Sequence, residues 1–272
     1  MAYDISLTQG MRANLISLQL TTKLLGATQN RLSTGKKVNT AMDDPVNFFA
    51  AQSHMTRASD LAARKDGMSE AIQIVTAGDK GITAINTLIE QAKGIATSAL
   101  ATTDASSRAS YATQYNTVMS QIITMAADSG YKGTNLLNGG SVDVKFNEDG
   151  SSKLNVSGFG ATTLANMQLT VVNGAFTTDI GINSAISRIG SASEILRTTA
   201  KTLAANLNVI TTRQDFTKDM IDTLKTGADN LTLADMNEES ANMLMLQTRQ
   251  SLGTTSLGIA SQAAQSVLRL FG

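Results

Sequence analysis

MRANLISLQLTTKLLGATQNRL, residues 11–32, decides the fold. Met11, Leu15, Leu18, Thr22, Leu25, Gln29 and Leu32 alternate steps of four and three without a break. That spacing lays one stripe along an α-helix, and a stripe needs a partner surface. The far end repeats it in Leu252, Ser256, Ile259, Ala263, Ser266 and Leu270, with Val267, Leu268 and Phe271 beside the seam. Chain ends ordinarily fray unless something ties them down. Two striped ends therefore predict terminal helices that lie side by side.

Working inward, the first helix is expected from Leu7 to Thr34. Gly35 stands where a left-handed cap belongs, and Lys36 and Lys37 follow the carbonyl end. Val38 to Asp44 reads as a connector. Asp43, Asp44 and Pro45 then form a helix-start signature, with acids at the amino end and proline in the first turn. A second helix is expected over 45–99, carrying Met68, Ile72, Val75, Ile82 and Ile89. A third is expected over 106–129, with Tyr111, Tyr115, Val118, Ile122 and Met125 on one stripe before Gly130.

Between 133 and 181 glycines crowd in and the period changes to two. Val142, Val144 and Phe146, then Leu154 and Val156, then Leu169 and Val171, read as β-hairpins joined by turns such as Asn147–Gly150. Helical spacing returns at Ile182 and runs through Leu196, Leu203 and Ile210 to Leu231, a length of roughly 75 Å at 1.5 Å per residue. The pattern loosens at 226–235, and a terminal helix restarts near Met236. The fold class expected is mainly α: a long antiparallel helical coiled-coil bundle with a small β-hairpin insert and paired N- and C-terminal helices. The expected domains are a discontinuous terminal-helix domain, 1–43 with 235–272, and a long-helix domain, 44–234, with its β-rich insert at about 133–181.

Composition fits thin seams better than a thick core. The chain has 272 residues, 4% aromatics, no tryptophan and only 16% charged residues. Its single proline, Pro45, leaves long helices uninterrupted. With no cysteine, disulfides and thiol chemistry are excluded. Net charge is zero, so no electrostatic footprint for nucleic acid or an anionic membrane exists. No stretch approaches the ~18 apolar residues of a membrane span, and residues 1–9 carry neither a basic leader nor an apolar run.

The segment Asn30-Arg31-Leu32-Ser33-Thr34-Gly35-Lys36-Lys37-Val38-Asn39, followed by Asp43-Asp44-Pro45, resembles the N-terminal signature of bacterial flagellins. Ala234-Asp235-Met236 through Leu246-Gln247-Thr248-Arg249-Gln250, ending Gln265-Ser266-Val267-Leu268-Arg269-Leu270-Phe271, is similar to their C-terminal one. Gly133-Thr134-Asn135-Leu136-Leu137-Asn138-Gly139 resembles the loop that opens their β region. The resemblance implies a structural subunit that polymerises into the helical tube of an extracellular flagellar filament, exported without a cleaved leader by the type III apparatus. It implies as partners further copies of the chain, the export apparatus and its chaperone, the filament cap and hook-associated proteins. It implies no cofactor. The inner-tube packing residues would be Met11, Leu15, Leu18, Leu25, Leu32, Leu252, Ile259, Ala263, Val267, Leu270 and Phe271. The span between Leu137 and Asp179 is too short for an outer domain.

Rival readings remain open at this point. A hook–filament junction protein shares both terminal patterns; a secreted enzyme on the same frame or a free coiled-coil adhesin are alternatives from other classes. His54 is the only histidine, so a metal or nucleophilic site lacks convergent ligands and the chain is read as no enzyme. Asp43 and Asp44 could be an acid pair, but capping at Pro45 explains them more simply. Arg31 and Arg249 are either helix-surface charge or ion-pair partners of Glu238, Glu239, Asp43 or Asp44. Met236, Met243 and Met245 read as adaptable packing. Gly253, Gly258, Ala260, Ala263 and Ala264 permit close helix approach.

Burying Met11, Leu15, Leu18, Leu25 and Leu32 would contribute on the order of 10 kcal/mol before entropy. A lone subunit offers little to bury them against, so ends mobile in the monomer are expected. Ser151, Ser152, Thr162, Thr163, Thr177 and Thr178 are candidate acceptors of O-linked sugars. Some flagellins are recognised by a Toll-like receptor through an arginine-rich helix stretch. The comparable stretch here is Ile89–Ala96, where Gln91 and Gly94 replace arginine and glutamate, so weak recognition is expected.

Overall fold

The computed structural model describes residues 9–172, 174 and 176–271, with side chains to Ser266. Five helices and one small sheet follow in order: α1 (Gln9–Thr34), α2 (Pro45–Leu100), α3 (Ala105–Asp128), β1 (Ser141–Lys145), β2 (Lys153–Ser157), α4 (Asp179–Thr232) and α5 (Met236–Phe271). The mainly helical class with a small β element stands. Threonine hydroxyls along the helices donate to the carbonyl four residues back, as Thr83 does to Asp79 O (3.0 Å) and Thr113 to Ala109 O (3.1 Å). A residue type of modest helix propensity thereby satisfies itself.

The chain divides into two compact units, one of the two chain ends up to Thr56 and from Thr223, the other of residues 57–222. These boundaries lie deeper in α2 and α4 than the 43/44 and 234/235 positions expected from sequence. The physical reason is the connector: Val38 is buried, and Phe48, Ala51, Ala228 and Thr232 line the same small hollow. The first turns of α2 and the last of α4 thus pack around the connector that follows α1.

In the 57–222 unit, α2 and α4 run antiparallel, with Gln214 Nε2 donating to Ser69 Oγ at 2.6 Å. Ile182, Ile189, Leu196, Leu203 and Ile210 recur every seventh residue and are all buried, opposite Met68, Val75, Ile82 and Ile89. α3 closes the core with Tyr115, Met119 and Ile122. Asp104 caps it, accepting from Ser107 N at 2.7 Å. The buried Arg108 donates to Thr102 O at 2.7 Å and pairs with Asp179 at the start of α4. Gly81 marks a close approach: an added Cβ would stand 2.2 Å from Ser129 Oγ and 2.6 Å from Leu137 Cδ1.

The hairpin pairs β1 and β2 antiparallel with Val142 opposite Val156 and Val144 opposite Leu154. Val144 and Val156 face the core, while Asn155 and Lys153 donate to the Asp143 carboxylate on the other face. The turn closes at Gly150 (φ +75°), whose N–H donates to Asn147 O. The third run is a correction: Leu169 is buried but Leu169 and Val171 form no strand. Its backbone is satisfied instead by Asn116, which donates from Nδ2 to Val172 O (3.1 Å) and accepts Val172 N–H on Oδ1 (2.9 Å). One side chain imitates a neighbouring strand there.

Candidate assembly surface

α1 and α5 lie antiparallel, with Arg31 beside Glu239 at one end of the contact and Asn14 beside Gly253 further along. On α1 the side facing α5 is Met11, Asn14, Leu18, Thr21, Leu25, Thr28 and Leu32, all buried or half-buried. Four of these belong to the expected stripe. Leu15, Thr22 and Gln29 do not: they are exposed, and Asn14, Thr21 and Thr28 take their places. Asn14 and Thr21 can enter the seam because each has a hydrogen-bond partner there. Asn14 Nδ2 donates to Gly253 O at 3.3 Å, and Thr21 Oγ1 donates to Ser17 O at 2.8 Å.

The matching side of α5 is Glu239, Met243, Leu246, Gln250, Gly253, Leu257, Ala260 and Ala264. Gly253 permits the approach, since a Cβ there would lie 3.1 Å from Leu18 Cγ. Leu252, Ile259 and Ala263 point away; Leu252 is 65% and Ile259 63% exposed. The side chains of Val267, Leu270, Phe271 and Arg269 lie outside the described residues. A lone chain therefore buries more of α1 than expected from sequence, and a different set. Met11 is fully covered and Leu18, Leu25 and Leu32 partly, a contribution of about 5 kcal/mol.

What remains uncovered is specific. Ile16, Leu20 and Leu24 form an exposed i, i+4, i+8 ridge on α1, with Leu15 at its edge. Leu244, Met245, Leu252 and Ile259 form a second on α5. Met42, Val46 and Phe49 stand exposed around the start of α2. Sequence reasoning missed the Ile16–Leu24 ridge because the heptad stripe already claimed the adjoining leucines. Its signal was available: four-residue spacing of large aliphatics on a second face of α1.

The signature segments build the junction between the terminal helices and the connector. Gly35 ends α1 with φ +69°, its N–H donating to Arg31 O. Ser33 is exposed and Leu32 half-buried. Lys37 N–H donates to Thr232 O at 2.8 Å and Ala234 N–H to Gly35 O at 3.0 Å, tying the two connectors together. Asp43 and Asp44 divide their labour, which corrects the expectation that both cap a helix. Asp44 caps α2, accepting from Asn47 N–H at 3.1 Å. Asp43 instead accepts from Thr40 and Asn39 N–H within the loop, and these hydrogen bonds, Thr40's foremost, hold its carboxyl below the usual aspartate value. Arg31 pairs with Glu239 at 3.0 Å. Gln247 and Arg249 are exposed on α5, and Arg249 forms no ion pair among the described residues.

The sugar-acceptor candidates separate by what their hydroxyls already do. Thr178 Oγ1 accepts from Gly181 N–H at the start of α4, and Thr162 Oγ1 donates to Asn138 Oδ1. Ser151 Oγ accepts from Asn147 Nδ2, and Ser152 is half-buried. Thr163 and Thr177 are exposed. His54 is half-buried on α2, near Gly227. Among the described residues no helix is long and apolar enough to cross a membrane.

Comparison with known proteins identifies the family of the two terminal regions. The N-terminal helical region of bacterial flagellin matches residues 6–141, and the C-terminal helical region matches residues 186–271. A flagellin of Brucella melitensis is 30% identical over 270 residues, covering 94% of this chain and 95% of its own. Flagellin FljO of Caulobacter vibrioides is 27% identical over 280 residues, covering 98% of each. A crystal structure of Bacillus cereus flagellin covers 56% of this chain and 88% of its own, with a TM-score of 0.48 and 15% identity.

Proposed function

The chain belongs to the bacterial flagellin family, and from that premise we propose that its uncovered apolar ridges are the surfaces through which copies join. It is a structural subunit of the bacterial flagellar filament; the junction-protein alternative is not favoured. The observation that carries the assembly reading is the pairing of α1 with α5 along one side only. Ile16, Leu20 and Leu24 on one helix, and Leu252 and Ile259 on the other, are left in water. Isolated exposed aliphatics are ordinary, but aligned ridges on neighbouring helices mark an interaction surface.

In this reading the terminal helices form an inner-tube domain, and Leu15, Leu252, Ile259 and Ala263 meet neighbouring copies. Met11, Leu18, Leu25 and Leu32 hold α1 on α5 within a copy. Neighbours stabilise the terminal pair by mass action, so its ends loosen in the monomer and set in the polymer. The chain performs no catalysis. It leaves the cell through the flagellar type III apparatus with a chaperone, and meets cap and hook-associated proteins at the filament ends. Gln91 and Gly94, lying exposed on α2, support weak recognition by the innate receptor.

Replacing Leu20 and Ile259 with lysine tests the assembly reading. The double variant should melt like the parent as a monomer and fail to form filaments when seeded. Filaments of normal length from that variant would end the proposal.

A further inference from the structure

We propose that Asn138 is a self-modifying site, at which the chain converts an asparagine to aspartate or isoaspartate with the help of the Thr162 hydroxyl. Four observations meet there. Asn138 is followed by Gly139, and both are exposed. Glycine has no Cβ to shield its backbone nitrogen, and φ at Gly139 is +76°. The neighbours of that nitrogen are engaged: Asn138 N–H and Gly140 N–H both donate to Asn135 O, at 3.2 and 3.0 Å. Gly139 N–H has no backbone acceptor among the described residues. Finally, Thr162 Oγ1 donates to Asn138 Oδ1 at 2.8 Å.

The chemistry balances without any outside reagent but water. The deprotonated Gly139 nitrogen adds to Cγ of Asn138, and negative charge develops on Oδ1. The Thr162 O–H already points at that oxygen, so it stabilises the charge as it forms, in the manner of an oxyanion-hole donor. The bond from Cγ to the side-chain nitrogen then breaks, and ammonia leaves with a proton. The product is a five-membered imide. Water opens it at either carbonyl, giving aspartate, or isoaspartate with an extra methylene in the backbone.

The position makes this consequential. Asn138 bridges to Gly160 and directly follows Leu136 and Leu137, both in the core of the 57–222 unit. An added methylene there lengthens a backbone whose hydrogen bonds, Ala161 N–H to Leu137 O among them, are already committed.

The chain carries its own control, because Asn173-Gly174 is the same dipeptide. The purified full chain is aged at mildly alkaline pH in heavy-oxygen water, and peptides over both sites are followed by mass spectrometry. Heavy oxygen should enter at Asn138. Thr162→Val should slow that site about fivefold, the worth of one hydrogen bond, and leave Asn173 unchanged. Thr162→Ser should keep the parent rate. Should Thr162→Val fail to fold, urea removes the Thr162 contact from the parent chain, and the ratio of Asn138 to Asn173 conversion must then fall. No conversion at Asn138 in the folded chain, or a ratio unmoved by losing the Thr162 hydroxyl, overturns the proposal.

Discussion

Arg31 on α1 and Glu239 on α5 stand 3.0 Å apart, with the carboxylate almost wholly buried and the guanidinium nearly half in solvent. Only Oε1 is used; Oε2 is buried with no hydrogen-bond partner. Arg31 is thus the one side chain paired with this carboxylate among the described residues, aided by the N-terminus of α5, in whose first turn Glu239 lies. Arg31→Met should destabilise the terminal pair by about 1–2 kcal/mol, less than a fully buried pair because water screens the guanidinium. Adding Glu239→Gln should recover most of that loss, read as the protection of α1 amides in hydrogen exchange.

Gly253 and Gly258 lie on the same helix but predict opposite signs. A Cβ at Gly258 meets nothing within 4 Å, so Gly258→Ala should gain about 0.5–1 kcal/mol of helix stability. At Gly253 a larger side chain drives into Leu18. Gly253→Val should cost about 1–3 kcal/mol and separate α1 from α5. Thermal melts of the monomer, followed by helical circular dichroism, read both.

The long-helix unit has its own tight point. Gly81→Ala should destabilise the 57–222 unit by about 1–3 kcal/mol, since its Cβ would overlap Ser129 Oγ and Leu137 Cδ1. Ser129→Gly should restore part of the loss by removing one of the two obstacles. Denaturant unfolding of the single and double variants decides it.

Acid should loosen two places in a defined direction. The carboxyls of Asp43 and Asp104 are held below the ordinary 3.8 chiefly by backbone N–H donors, Thr40 for the first and Ser107 for the second. A depressed folded value means that the stabilisation is complete above the ordinary value and is lost as pH falls through the lower folded one. Asp43→Asn and Asp104→Asn should each lower stability modestly at neutral pH and flatten the acid limb below 3.8, so that urea melts of parent and variant draw together in acid.

The helices were legible in the sequence because caps and period agreed: Gly35 ends α1, Asp44 and Pro45 begin α2, and the Ile182–Ile210 heptads line the core. The seam of the terminal pair was legible only in part. A rhythm that holds Met11, Leu18, Leu25 and Leu32 can be completed by 15, 22 and 29 or by 14, 21 and 28. Hydrophobicity favours the first set because it contains Leu15. The structure takes the second, since Asn14 finds the carbonyl of Gly253 and the Thr21 hydroxyl returns to its own helix. No periodicity encodes that. The third β run failed for a similar reason: Asn116, far away in sequence, supplies the hydrogen bonds that a strand would have.

Those self-satisfied hydroxyls bear on the environments the molecule tolerates. Its helix surfaces are polar without being strongly charged: only 16% of residues are ionisable acids or bases of the Asp, Glu, Lys and Arg kind. Their threonines are already committed to backbone carbonyls. Dissolved ions have little to screen on such a coat. The proposed cohesion through aliphatic ridges should thus persist from fresh water to brine, because added salt finds little charge there to screen.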